Sequence, residues 1–351
     1  MESMGINNGN EFAPASTYLN TASCGLLPRR AVDAVCALAA ENGAGRPGGA
    51  GDFEVVDEAR AAFARLVGVP DGRVATGGSV AVHAGLIAAS LPPGAEVLAP
   101  EGEFASIVNP FVLRGDLKMR YAPLDELAAA VTPTTTLVSF SAVQSADGRA
   151  ADLPAVRAAA AAHGARTLLD ATQAAGWLPL DAGAYDYTVT GAFKWLLCPR
   201  GVSFLTVREE AQESLVPLHG GWLAAADTWN STYGPLAQLA PDARRFDEPP
   251  AFLAYHGAAA ALSLVEETGI DAIHAHDTAL AARYRAGLAE LGHTPVPGGS
   301  PIVSVPGLGD RAPELARAGI LTSARAGHLR ATFHLYNTEA DVDRILDVLS
   351  G

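Results

Sequence analysis

Thr167-Leu168-Leu169-Asp170-Ala171-Thr172-Gln173 and Gly191-Ala192-Phe193-Lys194-Trp195-Leu196-Leu197, whose lysine lies 24 residues beyond the acid of the first, are the segments whose reading decides the fold. Residues 167–170 form a short apolar run that ends in a carboxylate. Residues 187–190 form a second such run, just ahead of the lysine. Runs this short and this apolar read as buried strands. Working outward, residues 96–99, 135–143 and 202–207 have the same texture. Helical patterns over 57–66, 80–91 and 154–162 fall between them, with Pro154 tolerable at a helix start. Strands separated by helices predict an α/β fold with a mainly parallel central sheet.

Beyond about residue 215 the texture changes. Long Ala-rich helices are expected over 252–267 and 270–291, strands over 302–305 and 329–333, and a closing helix over 341–349. The expected division is a tail over 1–15, a large domain over 16–215 and a smaller α+β domain over 216–351, against which the N-terminal segment can also pack. A chain of 351 residues suits one large and one smaller domain.

Charge and cysteines narrow the function. The net charge of −14 disfavours nucleic acid and anionic membranes as partners. No apolar stretch approaches a membrane span, and Met1-Glu2-Ser3-Met4-Gly5 lacks the features of an export signal. Three scattered cysteines, Cys24, Cys36 and Cys198, suit the cytoplasm better than a disulfide framework. No Cys-x-x-Cys or His-Glu-x-x-His offers a metal site. His83, His219 and His334 read as structural, and Asp247-Glu248 as a solvated pair.

Only two lysines, Lys118 and Lys194, stand against 22 arginines. Lys194 has apolar neighbours on both sides. A desolvated lysine loses its proton readily and serves Schiff-base chemistry; arginine cannot. The competing reading is a surface lysine that snorkels. In an open α/β sheet, ligands sit at the carboxyl ends of the strands. Asp170 stands at such an end, where it could pair with a protonated pyridine nitrogen; a helix N-cap is the plain alternative. Gln173 could reach the ring's phenolic oxygen. Thr76-Gly77-Gly78-Ser79-Val80 precedes a helix, and amides at a helix start can hold a phosphate.

Taken in order, Asp-Ala-Thr-Gln, Gly-Ala-Phe-Lys-Trp-Leu and Pro199-Arg200-Gly201 resemble the class V aminotransferase pattern, a family that includes cysteine desulfurases, kynureninase, isopenicillin epimerase and the ergothioneine-pathway C–S lyase. Tyr18-Leu19-Asn20-Thr21-Ala22 is similar to the family's opening segment, and 329–338 to its C-terminal signature. The resemblance implies fold-type I, a homodimer, a small amino-acid substrate and pyridoxal 5′-phosphate. It makes Lys194 the Schiff-base lysine, Asp170 the pyridine-nitrogen partner and Gln173 the phenolic-oxygen partner. It places Ser79 and the Val80 amide on the phosphate, Phe104 where relatives often stack a His, and Arg330 on the substrate α-carboxylate. Ser145 and Trp222 fall near the substrate. Relatives often carry Ser-x-His before the lysine; here Gly191 and Phe193 stand there, and Thr190 is the candidate to compensate. Where relatives send a Thr to the neighbouring subunit, this chain reads Arg245-Phe246-Asp247-Glu248-Pro249-Pro250.

The segment 322–329 holds no cysteine, which disfavours a desulfurase. The resemblance favours C–S β-elimination from an S-substituted cysteine or its sulfoxide, with an aminotransferase or epimerase as the alternative. A non-catalytic binding protein of the same fold would be marked by loss of Lys194, Asp170, Gln173 or Arg330, and all four are present.

Overall fold

The computed structural model describes residues 10–351. The reading of residues 1–5 and most of the expected tail lie outside the described residues. Strand β1 (Thr17–Tyr18) is short and lies apart. Strands β2 (Val74–Gly77), β3 (Glu96–Pro100), β4 (Lys118–Ala122), β5 (Thr135–Ser141), β6 (Arg166–Asp170), β7 (Tyr187–Gly191) and β8 (Ser203–Val207) form one sheet in the order β2-β8-β7-β6-β5-β3-β4. The pairs β3–β4, β3–β5, β5–β6 and β6–β7 are parallel. Only β8 runs against its neighbours, β7 and β2.

The apolar runs follow from burial on both faces. Leu169, Val138, Phe140 and Phe204 lie in one apolar cluster; Leu168, Leu137, Val97 and Val189 lie in another on the far side. The helix Phe53–Leu66 is seated by Phe63, whose ring stacks on Phe204 at 4.2 Å between centroids. This helix begins earlier than the sequence pattern suggested, because Asp52 caps it by accepting from the Glu54 amide. The carboxyl ends of β2, β3, β5, β6 and β7 share one edge, so the loops after them converge there.

A second layer contains β9 (Ile302–Val305), β10 (Ile320–Leu321), β11 (Ser323–Arg325) and β12 (His328–Thr332). An antiparallel sheet runs β11-β12-β9. One face, with Val303, Val305, Leu329 and Ala331, packs into a separate core with Tyr284 and Ile345 from the helices Ile270–Glu290 and Glu339–Ser350. By alternation and register, the other face carries Ser304, Ser323, Arg325, His328 and Arg330. β1 pairs in parallel with β10, and the Thr332 amide donates to Leu19 O, which stitches the N-terminal segment to this layer. The helix Phe252–Thr268 lies past residue 215, yet its Tyr255, Ala258, Leu262 and Val265 pack in the core of the large sheet. No helix among the described residues is long and apolar enough to cross a membrane.

Candidate active site

Lys194 sits on a strap that leaves the end of β7 and returns into β8. The strap is pinned by its backbone: Gly25 N donates to Phe193 O, Leu197 N to Lys194 O and Cys198 N to Ala192 O. A Cβ on Gly25 would stand 2.0 Å from Lys194 O, and one on Gly176 would stand 2.4 Å from Trp195 O. Glycine is required at both places for the flanking loops to close on the strap. The lysine is therefore buried, only 6% exposed, and not a snorkelling surface residue. Among the described residues its Nζ makes no hydrogen bond or ion pair; the rings of Phe104 and Phe193 lie 5.4 and 5.6 Å away. Burial lowers its pKa to about 8, with Asp170 opposing the shift and Arg330, Arg200 and Arg325 adding to it.

Asp170 ends β6. One carboxylate oxygen accepts from the Thr172 amide at 2.8 Å, and the Thr172 side chain also stabilises the carboxylate. A turn, not a helix, follows, so Asp170 is not a helix cap. Burial raises its pKa to about 6, against the pull of Thr172 and Lys194. Glu103, held by Ser141, Gln144 and the Phe104 amide, adds to the rise. Gln173 donates one amide proton to Ala22 O at 2.9 Å and accepts from Trp195 Nε1 at 2.8 Å, which leaves its second amide proton free. Phe104 is 45% exposed, with its ring over Nζ.

Ser79 caps the helix Val80–Ser90, accepting from Val82 N at 3.4 Å. The neighbouring Gly78 amide is already taken by Glu248 at 2.9 Å. Asp247 is buried rather than solvated, a correction to the sequence reading. It holds Arg60 through both carboxylate oxygens at 3.0 and 2.8 Å and accepts from the Thr76 amide. The Tyr255 hydroxyl braces the same turn against Ser203 O. His83, bonded to Ser203 and fully buried, has its pKa lowered to about 4 and stays neutral as a structural residue. Thr190 does not join this group. It follows Val189, the register partner of Asp170, and so faces the opposite side of the sheet, where its hydroxyl is buried without a partner among the described residues.

Arg330 is 2% exposed and has no carboxylate within ion-pair distance among the described residues. Its Nε donates to Ser323 Oγ at 3.0 Å, Nη2 to Ser23 Oγ at 2.7 Å and Nη1 to Ser145 O. One proton on each terminal nitrogen is left, a fork matched to a carboxylate. Ser145 thus reaches the site through its backbone. Trp222 stands in an aromatic group with Phe53 and Trp229, at 5.7 and 5.4 Å between centroids. Ser23 and Glu103 escaped the sequence reading, because neither lies in a recognisable motif.

A pyridine-aldehyde phosphate needs an amine able to lose its proton, a carboxylate for its ring nitrogen, donors for its phosphate and a flat apolar neighbour. Lys194, the buried carboxylate of Asp170, the helix start at Ser79–Val80 and Phe104 supply these, so the residues fit the group. Fold and site together define a fold-type I enzyme dependent on pyridoxal 5′-phosphate. Residues 17–305 match the family model described as Aminotransferase class-V, and the chain belongs to that family. It is 27% identical to an uncharacterized aminotransferase, YcbU, of Bacillus subtilis (strain 168), over 85% of this chain and 84% of that protein. It is 29% identical to an isopenicillin N epimerase of Streptomyces clavuligerus, over 96% and 95%. The cystine C–S lyase C-DES, solved with cysteine persulfide, has the same fold, with a TM-score of 0.85 and 23% identity over 96% of this chain and 97% of that one.

Proposed function

We propose that this enzyme cleaves the C–S bond of an S-substituted cysteine or its sulfoxide by β-elimination. The observation that carries this reading is how the site is closed. β11 and β12 are joined by two residues, Ala326 and Gly327, with no thiol. A desulfurase needs a mobile cysteine there; a lyase needs only a base and a good leaving group. Lys194 serves as the base, and a sulfur leaving group needs little acid assistance, which suits the phenyl ring of Phe104.

The bound cofactor would act as the electron sink for the negative charge that develops at the substrate Cα. This chain's residues do the rest. Asp170 would hold the ring nitrogen, Gln173 would serve the phenolic oxygen, and Ser79 and Val80 would hold the phosphate. Arg330 grips the α-carboxylate with its two free protons. Lys194 Nζ takes the Cα proton while the Cβ–S bond breaks. For a thioether, water then completes the balance, giving one thiol, one pyruvate and one ammonium. We also infer a homodimer and a cytoplasmic location, the latter from three unpaired cysteines.

Pyruvate release from cysteine conjugates, with no keto acid added, tests this reading. Wild type releases pyruvate, whereas Lys194→Ala falls at least about a thousandfold, as expected for loss of the general base and covalent anchor. Turnover that appears only with an added keto acid makes it an aminotransferase. Inversion at Cα without pyruvate makes it an epimerase, the reading favoured by likeness to the Streptomyces protein.

A further inference from the structure

We propose that Arg325 forms a second anion subsite, which selects amino-acid substrates whose side chain carries a carboxylate of its own. The proposal rests on the lyase reading above and names its substrate class.

Arg325 and Arg330 lie on the same face of the small sheet, the face turned away from the apolar core. Both donate to one hydroxyl: Ser23 Oγ is 2.7 Å from Arg330 Nη2 and 3.3 Å from Arg325 Nη2. The two guanidinium nitrogens therefore lie no more than 6.0 Å apart. Arg325's other bond is to the Ala324 carbonyl, and no acid pairs with it among the described residues. Like charges this close repel unless an anion lies between or beside them. The chain as a whole carries −14, so a mouth lined by Arg200, Arg325 and Arg330 is a local reversal of sign. Such a patch steers anions and holds them.

One carboxylate accounts for Arg330, whose fork has two protons to give. It leaves Arg325 unmatched. The backbone fixes where Arg325 stands. Ala326 has φ +48° and Gly327 φ +79°, the two left-handed positions of a type I′ turn, and Arg325 is the last residue before that turn. The pairing of Arg325 with His328 across this two-residue turn fixes where the strand ends, and so where the Arg325 side chain leaves the sheet. Arg200 stands near the same mouth, stacked 4.2 Å from the Phe193 ring. A substrate anchored at Arg330 by its α-carboxylate would extend its side chain toward this corner. S-Carboxyalkyl cysteines fit that description.

The test compares S-carboxymethyl-L-cysteine with its uncharged analogue, S-carbamoylmethyl-L-cysteine. Dissociation constants are measured by calorimetry on cofactor-loaded Lys194→Ala protein, which does not turn the ligand over. The carboxymethyl compound is expected to bind about tenfold tighter than the amide, as befits one charge-assisted contact. Adding Arg325→Ala should remove that preference and leave the amide's affinity unchanged, while Arg325→Lys keeps part of it. Equal affinity for the two compounds before Arg325 is changed overturns the proposal. So does Arg325→Ala weakening both compounds alike, which places that residue on the α-carboxylate beside Arg330. If neither compound binds and Arg330→Ala changes nothing, the amino-acid reading itself fails along with the subsite.

Discussion

Asp170 and Lys194 are both held in disfavoured charge states before any cofactor arrives. The two shifts have opposite consequences for stability. With Asp170 raised to about 6, the folded protein binds more protons than the unfolded chain between about pH 4 and 6, so this group's contribution to stability falls as pH rises through that window. At neutral pH the cost is on the order of 3 kcal/mol. With Lys194 lowered to about 8, the unfolded chain binds more protons above that pH, and stability from this group grows on going from about pH 8 to 10. Asp170→Asn should therefore make the cofactor-free protein harder to unfold in urea at pH 8, while the gain shrinks toward zero near pH 4. The same variant should lose most of its catalysis, because a neutral amide cannot hold a protonated ring nitrogen. A gain of equal size at both pH values would mean that the carboxylate's charge is not what the fold tolerates for the sake of the site.

The tight hairpin between β11 and β12 sets the positions of Arg325 and Arg330, and its strained point is Ala326. Alanine at φ +48° costs about 1 kcal/mol relative to glycine, partly offset by glycine's greater freedom in the unfolded chain. Ala326→Gly should raise the thermal midpoint by about 1 °C, the scale set by a chain of this length; a lower midpoint would show that the turn is not strained. Elements like this one explain what the sequence could and could not disclose. β6 and β7 were legible because burial on both faces makes them nearly pure apolar runs, although each extends a residue past the expected limit. β4, Lys-Met-Arg-Tyr-Ala, is an edge strand with polar exposed positions, and it left no such run. β2 was hidden because Thr76 and Gly77 read as the start of a turn. The helix Arg29–Gly43 buries only Ala31 and Leu38 fully and has no side-chain cap, so its periodicity is faint. In the site, Lys194 stood out because lysine is rare here, and Arg330 through the motif around it. Arg325 was legible as a candidate for a second carboxylate or as a plain surface residue, two readings the sequence leaves equal; Ser23 became visible only when β1 and β10 brought distant segments together.

At the scale of the whole molecule, two features tie the site to what lies around it. The segment around 216–233 leaves Val216, Leu218, Trp229 and Tyr233 open to solvent, with Trp229 71% and Tyr233 92% exposed. Apolar side chains clustered in this way suit the inferred contact with a second copy of the chain. Trp229→Glu combined with Tyr233→Glu should shift the sedimentation or elution of the protein to that of a monomer of 36.0 kDa; an unchanged dimer would move the contact elsewhere. The second feature lies within one chain. Asp277, on the helix Ile270–Glu290, and His334, just past β12, are both wholly buried and meet at 2.8 Å. The far side of the ring, His334 Nε2, donates to Trp195 O at 2.9 Å, next to Lys194. One imidazole thus joins the small layer to the lysine strap. His334→Ala would leave Asp277 buried with no partner, and its other oxygen already lacks one among the described residues, so the loss should be about 3–5 kcal/mol. Asp277→Ala removes the acid and leaves the bond to Trp195 O in place, so it should cost less. The double variant should be more stable than the sum of the two losses implies, because the stranded carboxylate is then gone. Denaturant unfolding of all four proteins gives the coupling directly. Strict additivity would show that the pair is two independent core residues. A coupling of about 1–3 kcal/mol, together with a fall in kcat in both His334 variants, would show that the small layer sets the position of Lys194 through this ring.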